Sequence, residues 1–237
     1  MKSLRTFRSR GFTLLETVIA IGVLAVLLTG FMIVFAPAAE GIKKSINVQQ
    51  ADRLASTLEN ELVTKRDSGA GTGFDKAFDW IRQSSNANDA LLIYQYRGKT
   101  SDLRADGTPE PLKNKDMKGK LPGKDYMVVS MLRRKSDSAF TDDLEAIEGA
   151  VYLVKCTQLV FNASEMILNP TPGTIKDPKG TATFTSADDY PEAVIAFSAD
   201  FHMLPAKTPD YFAGAAFTKK FTGARNPVFS RNLAVRR

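Results

Sequence analysis

The chain has 237 residues and a formal net charge of +6 at pH 7, from 32 basic and 26 acidic residues. Hydrophobic residues make up 43% and charged residues 24%, which are ordinary globular values and exclude a wholly disordered, collagen-like or polytopic membrane chain. The single Cys excludes an internal disulfide and a Cys-based zinc cluster, and the single His excludes a multi-His metal site.

The positive charge is concentrated at the N-terminus. Lys2, Arg5, Arg8 and Arg10 lie within the first eleven residues, which contain no acid. Without these four, 28 basic residues remain against 26 acidic ones, a balance of +2 over the rest of the chain. So small an excess is a poor electrostatic footprint for nucleic acid, and we expect no nucleic-acid partner.

The segment after the basic residues is apolar enough to cross a membrane. Between Phe12 and Ala39 the only charged residue is Glu16, and the 23 residues from Thr17 to Ala39 carry no charge. As a helix they span about 35 Å, against about 30 Å for the hydrocarbon core of a bilayer. No later run is apolar for long enough to cross again, so the sequence predicts one membrane pass. Basic residues before the span predict a cytoplasmic N-terminus and an exported C-terminal body.

Glu16 is unusual because a charged residue such as Asp costs roughly 2.5–3.5 kcal/mol at the middle of a membrane span. The sequence GFTLLET from Gly11 to Thr17, behind a short basic leader and ahead of an apolar helix, resembles the cleavage signal of type IV pilins and type II secretion pseudopilins. The resemblance implies cleavage by a prepilin peptidase between Gly11 and Phe12, with N-methylation of Phe12. It also implies that the Glu16 carboxylate pairs with the terminal amine of a neighbouring subunit during assembly.

Other interpretations of the N-terminus stay open. Glu16 can be a boundary residue that pairs with Arg10 or reaches the lipid headgroups. The sequence Ala36-Pro37-Ala38 offers a conventional signal-peptidase site before Ala39, although more than twenty apolar residues exceed the about 7–15 of a secretory signal. The segment can also be an uncleaved membrane anchor. Either would make the protein a secreted or periplasmic binding module.

The remaining sequence predicts an α+β body. Apolar residues at helical spacings extend the first helix from Phe12 to about Arg66, and a second, short helix runs from Asp75 to about Gln83. The runs that follow have strand character and no long helices between them, which favours an antiparallel sheet. The predicted strands cover residues 91–96, 126–132, 150–161, 193–204 and 227–235.

The expected architecture is one long N-terminal helix packed on an antiparallel sheet, which is the organisation of type IV pilins. We divide the chain into a basic leader at 1–11, a transmembrane and assembly helix at 12–39, an amphipathic continuation at 40–68 and an exported globular domain at 69–237.

Few residues of the body are candidates for chemistry. His202 is predicted to face solvent on a strand, and Cys156 to be a buried free thiol. The basic run 113–120 lacks interleaved aromatic residues and is interpreted as a solvated loop. Asp188 and Asp189 lack the spacing of a calcium-binding loop. We therefore assign no catalytic residue, metal, cofactor or small-molecule substrate, and the protein is not predicted to be an enzyme.

Together these features predict a pilin-like structural subunit of the bacterial inner membrane, whose C-terminal domain is periplasmic before the protein enters a filament. The filament is a type II secretion pseudopilus or a type IV pilus. The resemblance implies three kinds of partner: prepilin peptidase, other pilin or pseudopilin subunits, and an inner-membrane assembly platform. A minor subunit is predicted because the body is bulkier than that of typical major pseudopilins.

Overall fold

The computed structural model describes residues 13–64, 73–162 and 165–237. The chain forms two compact units, one up to Ile46 and one from Asn47 to Arg237. Helix α1, Leu14–Glu59, contributes to both units and continues as a π-helical turn, Asn60–Thr64. The predicted long helix is therefore present over the described residues, and Pro37 lies inside it without ending it.

In the first unit, α1 is apolar on all sides from Thr17 to Ala39, and the side chains of this segment are exposed. Every residue from Thr13 to Ile46 is exposed, including the large side chains of Leu14, Phe31 and Met32. Among the described residues, α1 with its π-turn is the one helix long and apolar enough to cross a membrane. An apolar surface of this extent in water is unfavourable, so lipid or other helices are its physical environment.

The second unit is built on one antiparallel sheet. The spatial strand order is β2-β1-β4-β8-β9, with β3 also pairing with β1 and β5 with β4, while β6 and β7 form a separate two-stranded sheet. In chain order the strands are β1 Leu91–Leu103, β2 Pro109–Pro111, β3 Tyr126–Arg134, β4 Ile147–Asn162, β5 Glu165–Leu168, β6 Ile175–Lys176, β7 Thr183–Phe184, β8 Val194–Met203 and β9 Phe229–Arg236.

One face of the sheet is covered by the C-terminal part of α1 and by helix α2, Gly73–Gln83. Leu54, Leu58 and Leu62 recur at helical spacing and are buried in this core. Tyr152 on β4 belongs to the same core, and its hydroxyl donates to the main-chain oxygen of Asn47 at 3.1 Å. The amphipathic half of the long helix therefore packs on the sheet as predicted.

The other face of the sheet is covered by three short helices that the sequence did not predict. They are α3 Ser138–Asp143, α4 Pro209–Ala213 and α5 Ala215–Gly223. Phe140, Phe212 and Phe217 from these helices form a second core with Tyr94 and Leu153 of the sheet. The sheet is thus covered on both faces, so alternate residues of a central strand are buried in different cores.

This second core corrects the prediction for His202. The alternation along β8 is as expected, because Phe197 and Phe201 lie on the opposite face from His202 and are buried in the first core. However, His202 is only 4% exposed instead of facing solvent. Burial and the nearby charge of Lys155 lower the pKa of His202, whose ring also hydrogen-bonds the backbone at Asn226.

Two strands have an end that lies three or more residues from its predicted position. β1 continues to Leu103 instead of ending near Tyr96, because its last residues pair with β2 and β3 while their side chains lie in solvent. No apolar pattern marks such an extension. β4 begins at Ile147, three residues earlier than predicted.

Candidate functional site

The candidate site is the N-terminal end of α1, where Thr13 holds Glu16 in place. The Thr13 N–H and the Thr13 hydroxyl each donate to Glu16 Oε2 at 2.9 Å. In return, the Glu16 N–H donates to Thr13 Oγ1 at 3.2 Å. This reciprocal arrangement is a capping box, with Thr13 as the N-cap and Glu16 as the third helical residue. Gly11 and Phe12 lie outside the described residues.

The capping box gives Glu16 a structural role that sequence reasoning missed. The signal was readable, because Thr and Glu three residues apart before an apolar run are the signature of this cap. Both side-chain bonds go to Oε2. Glu16 Oε1 accepts no hydrogen bond from any residue that the structure describes, and the side chain is exposed. One carboxylate oxygen therefore caps the helix while the other can bind a second group.

The remaining polar groups of the apolar segment are satisfied within the helix. The Thr17 hydroxyl donates to the Thr13 main-chain oxygen at 3.2 Å, and the Thr29 hydroxyl donates to that of Ala25 at 2.8 Å. Such bonds remove the cost of a hydroxyl in an apolar environment. The one ionisable side chain between Thr13 and Ala39 is that of Glu16.

The second unit contains a buried ionic cluster. The Asp143 carboxylate, at the end of α3, is completely buried. It accepts a hydrogen bond from the Tyr94 hydroxyl at 2.6 Å, from Arg104 Nη2 at 2.7 Å and from Arg133 Nε at 3.3 Å. Burial and the charge of Asp143 raise the pKa of Tyr94, which keeps that hydroxyl protonated as the donor.

Arg133 extends this cluster to the loop between β1 and β2. Its guanidinium also pairs with Asp106 at 2.9 Å and Asp137 at 3.0 Å. Partial burial opposes ionisation of Asp106, but hydrogen bonds from Thr108 and Arg133 outweigh it and lower the pKa of Asp106 to about 2. These charges are paired with one another, so we interpret the cluster as a structural connection between β1, β3 and α3.

The body offers little else for chemistry. No group of three or more His, Cys, Asp or Glu that could hold a metal occurs among residues 13–64, 73–162 and 165–237. Cys156 is a buried free thiol, as predicted. Burial raises its pKa, which makes it a poor nucleophile. An open groove of about 260 Å³ between α3 and α4 has a mainly apolar lining that includes Phe140, Leu144 and Phe212.

Comparison with known proteins gives a match for the N-terminal end of the chain alone. Residues 6–32 match the family model of the prokaryotic N-terminal methylation motif, which is the signature of type IV pilins and pseudopilins. The match includes Gly11, Phe12 and Glu16. Neither a curated protein nor a solved structure matches the chain.

The match and the fold support the same class of protein. The motif supports a type IV pilin-like or pseudopilin subunit, a class that is structural and not catalytic. A long N-terminal helix whose later turns pack on an antiparallel sheet is consistent with the type IV pilin fold. The motif and the apolar helix together indicate anchoring in the inner membrane.

Proposed function

We propose that the protein is a minor pilin-like subunit that is cut after Gly11 by prepilin peptidase, N-methylated at Phe12 and assembled into a type II secretion pseudopilus or a type IV pilus. The observation that carries this proposal is the methylation motif at 6–32, which ends inside the exposed helical segment Thr17 to Ala39 that is apolar on every side. A filament of packed N-terminal helices would bury this surface.

The proposed chemistry explains the single acid of the apolar segment. Cleavage after Gly11 would leave an α-ammonium group on Phe12, and an unpaired charge is costly in an apolar environment. A carboxylate on a neighbouring helix removes much of that cost. Glu16 suits this role because Oε2 is held by Thr13 while Oε1 has no hydrogen bond to a described residue. The pair would set the axial step between adjacent helices, since its geometry fixes their register.

The proposal assigns location and partners. The newly made protein is a single-pass protein of the inner membrane, with a cytoplasmic N-terminus and a periplasmic body, because basic residues precede the span. Its partners are prepilin peptidase, other pilin or pseudopilin subunits, and the assembly platform of the inner membrane. We assign no nucleic-acid or small-molecule partner.

Intact-mass analysis of the full-length product recovered from cells tests the processing step. Loss of residues 1–11 with addition of one methyl group supports the proposal. A chain that begins at Ala39 would show a conventional signal sequence, and a chain that keeps residues 1–11 would show an uncleaved anchor. A Gly11→Val variant is the control, because a bulky side chain at the cleavage site should leave residues 1–11 attached.

A further inference from the structure

The hairpin of β4 and β5 exposes a patch of apolar side chains. Phe161, Met166, Ile167 and Leu168 are 51%, 52%, 36% and 50% exposed, and we call these four residues the β5 patch. Phe161 lies opposite Met166 in the hairpin. Side chains alternate along a strand, so Phe161, Met166 and Leu168 share one face and Ile167 lies on the other. Exposed apolar strands of this kind indicate an interaction surface.

The outer edge of β5 also carries backbone groups that bond to no residue within the described part of the chain. Leu168 lies opposite Leu159 in the ladder, and the next bond runs from the Asn169 N–H to the Gln158 main-chain oxygen at 2.8 Å. In an antiparallel ladder, alternate residues direct their N–H and C=O groups to the partner strand. The N–H and C=O groups of Ile167 therefore point toward β4, whereas the N–H and C=O groups of Met166 and Leu168 point outward. β5 pairs with β4 alone among the described strands.

The edge strand β9 is protected and β5 is not. On β9 the exposed positions include Ser230, Asn232 and Arg236, and polar or charged side chains on an edge discourage pairing. β5 carries one charge, Glu165 at its first residue. Free backbone groups combined with exposed apolar side chains are what an added strand requires. The hairpin is thus a site for strand addition.

We propose that β5 pairs antiparallel with β5 of a second copy of this chain, with Ile167 on the two-fold axis. In this register the outward groups of Met166 meet those of Leu168 of the partner subunit, and Ile167 faces Ile167 of the partner subunit. Glu165 then lies opposite Asn169 of the partner subunit. Every opposed pair within β5 is apolar and no like charges meet, so the strand is complementary to itself.

Membrane anchoring makes a second copy the fitting occupant. A four-residue strand buries far less than the about 1,200–2,000 Å² of a stable interface, so the contact would be weak between freely diffusing proteins. Two copies held in one membrane by α1 have a higher effective concentration, which strengthens a weak contact. The inference rests on this anchoring and not on cleavage after Gly11.

Cysteine crosslinking in membranes containing the full-length protein tests the register. Residues that face each other in a non-hydrogen-bonded pair have Cα atoms about 4.5 Å apart, within the about 4.4–6.8 Å that a disulfide spans. Ile167→Cys should therefore form a disulfide-linked homodimer on mild oxidation. The native thiol of Cys156 is buried and gives no background. Val128→Cys on β3 is the matched control, because it is 48% exposed and more accessible to random collision than Ile167.

Two further changes in the Ile167→Cys background test the edge itself. Met166→Pro removes one outward N–H without touching the bonds to β4, and Pro is accepted on edge strands. Leu168→Lys keeps the backbone and adds a charge to the apolar patch. Each should lower dimer yield several-fold while Trp80 fluorescence shows a folded body.

Three results would overturn the inference. They are a dimer yield no higher than that of Val128→Cys, a yield unchanged by both edge variants, or a crosslinked product whose mass shows a different protein. Intact mass of the uncrosslinked chain from the same membranes reports whether residues 1–11 were removed. Failure of this inference is thereby distinguished from failure of the proposed function.

Discussion

Glu16 has two candidate roles, capping its own helix and pairing with the amine of a neighbour, and two substitutions separate them. Glu16→Gln keeps the capping box, because Gln at the third helical position makes the same bond, but it removes the negative charge. Thr13→Ala keeps the charge and removes both hydrogen bonds of the Thr13 hydroxyl. Loss of a cap costs about 1 kcal/mol.

Removing the charge is expected to cost more free energy than removing the cap. Two unit charges 4 Å apart attract by about 4 kcal/mol at an effective dielectric constant of 20, and every 1.4 kcal/mol is a factor of ten in an equilibrium. We therefore expect Glu16→Gln to lower incorporation into filaments by about 10²–10³-fold, and Thr13→Ala to lower it by about tenfold at most.

Filament incorporation is measured as the sheared, pelletable fraction of the protein, and intact mass confirms that both variants are inserted and processed like the native chain. A loss for Glu16→Gln no larger than that for Thr13→Ala would mean that incorporation does not depend on the negative charge of Glu16, and the pairing role would then be wrong.

Two predictions concern the stability of the body, measured by thermal and urea unfolding of the full-length protein in detergent with Trp80 fluorescence as the probe. Asp143→Asn should destabilise by about 3–5 kcal/mol, because it removes the buried carboxylate that pairs with Arg104 and one of the three that pair with Arg133. The exposed neighbour variant Asp142→Asn should change the free energy of unfolding by less than about 0.5 kcal/mol, and equal effects would contradict the structural role of the cluster. The pKa of His202 is lowered in the folded state, so the unfolded chain binds the proton first and the free energy of unfolding should fall as the pH drops below about 6.5. His202→Gln should flatten the dependence between pH 7.5 and 5.5, and an unchanged slope would assign it to other groups.

The parts of the fold that the sequence predicted are those with a long, uniform pattern. The uncharged run behind Glu16 predicted α1, and the alternation along β8 placed Phe197 and Phe201 on the correct face. Both patterns repeat over enough residues to exceed chance. The capping box at Thr13 was equally readable, but the Glu16 carboxylate was interpreted as a pairing or membrane-boundary group and its capping role was missed.

The parts that were missed are short or depend on distant residues. α3, α4 and α5 have six, five and nine residues, which is below the 11–18 residues over which helical periodicity is detected. Without these helices nothing covers the second face of the sheet, so His202 was expected in solvent. The error in one side chain follows from the error in three helices.

The contrast between a matched N-terminus and an unmatched body has a physical explanation. The proposed peptidase cleavage and helix packing would depend on a few side chains at fixed spacing, namely Gly11, Phe12 and Glu16, so few substitutions there would keep the motif. The two cores, one on each face of the sheet, require only apolar residues of suitable volume, and many unrelated sequences meet this requirement. The body is therefore free to carry surfaces of its own, such as the β5 patch. In the proposed function the N-terminal helix specifies entry into a filament and leaves the choice of neighbours to the body. What would distinguish this subunit from others with the same motif must then lie in those surfaces.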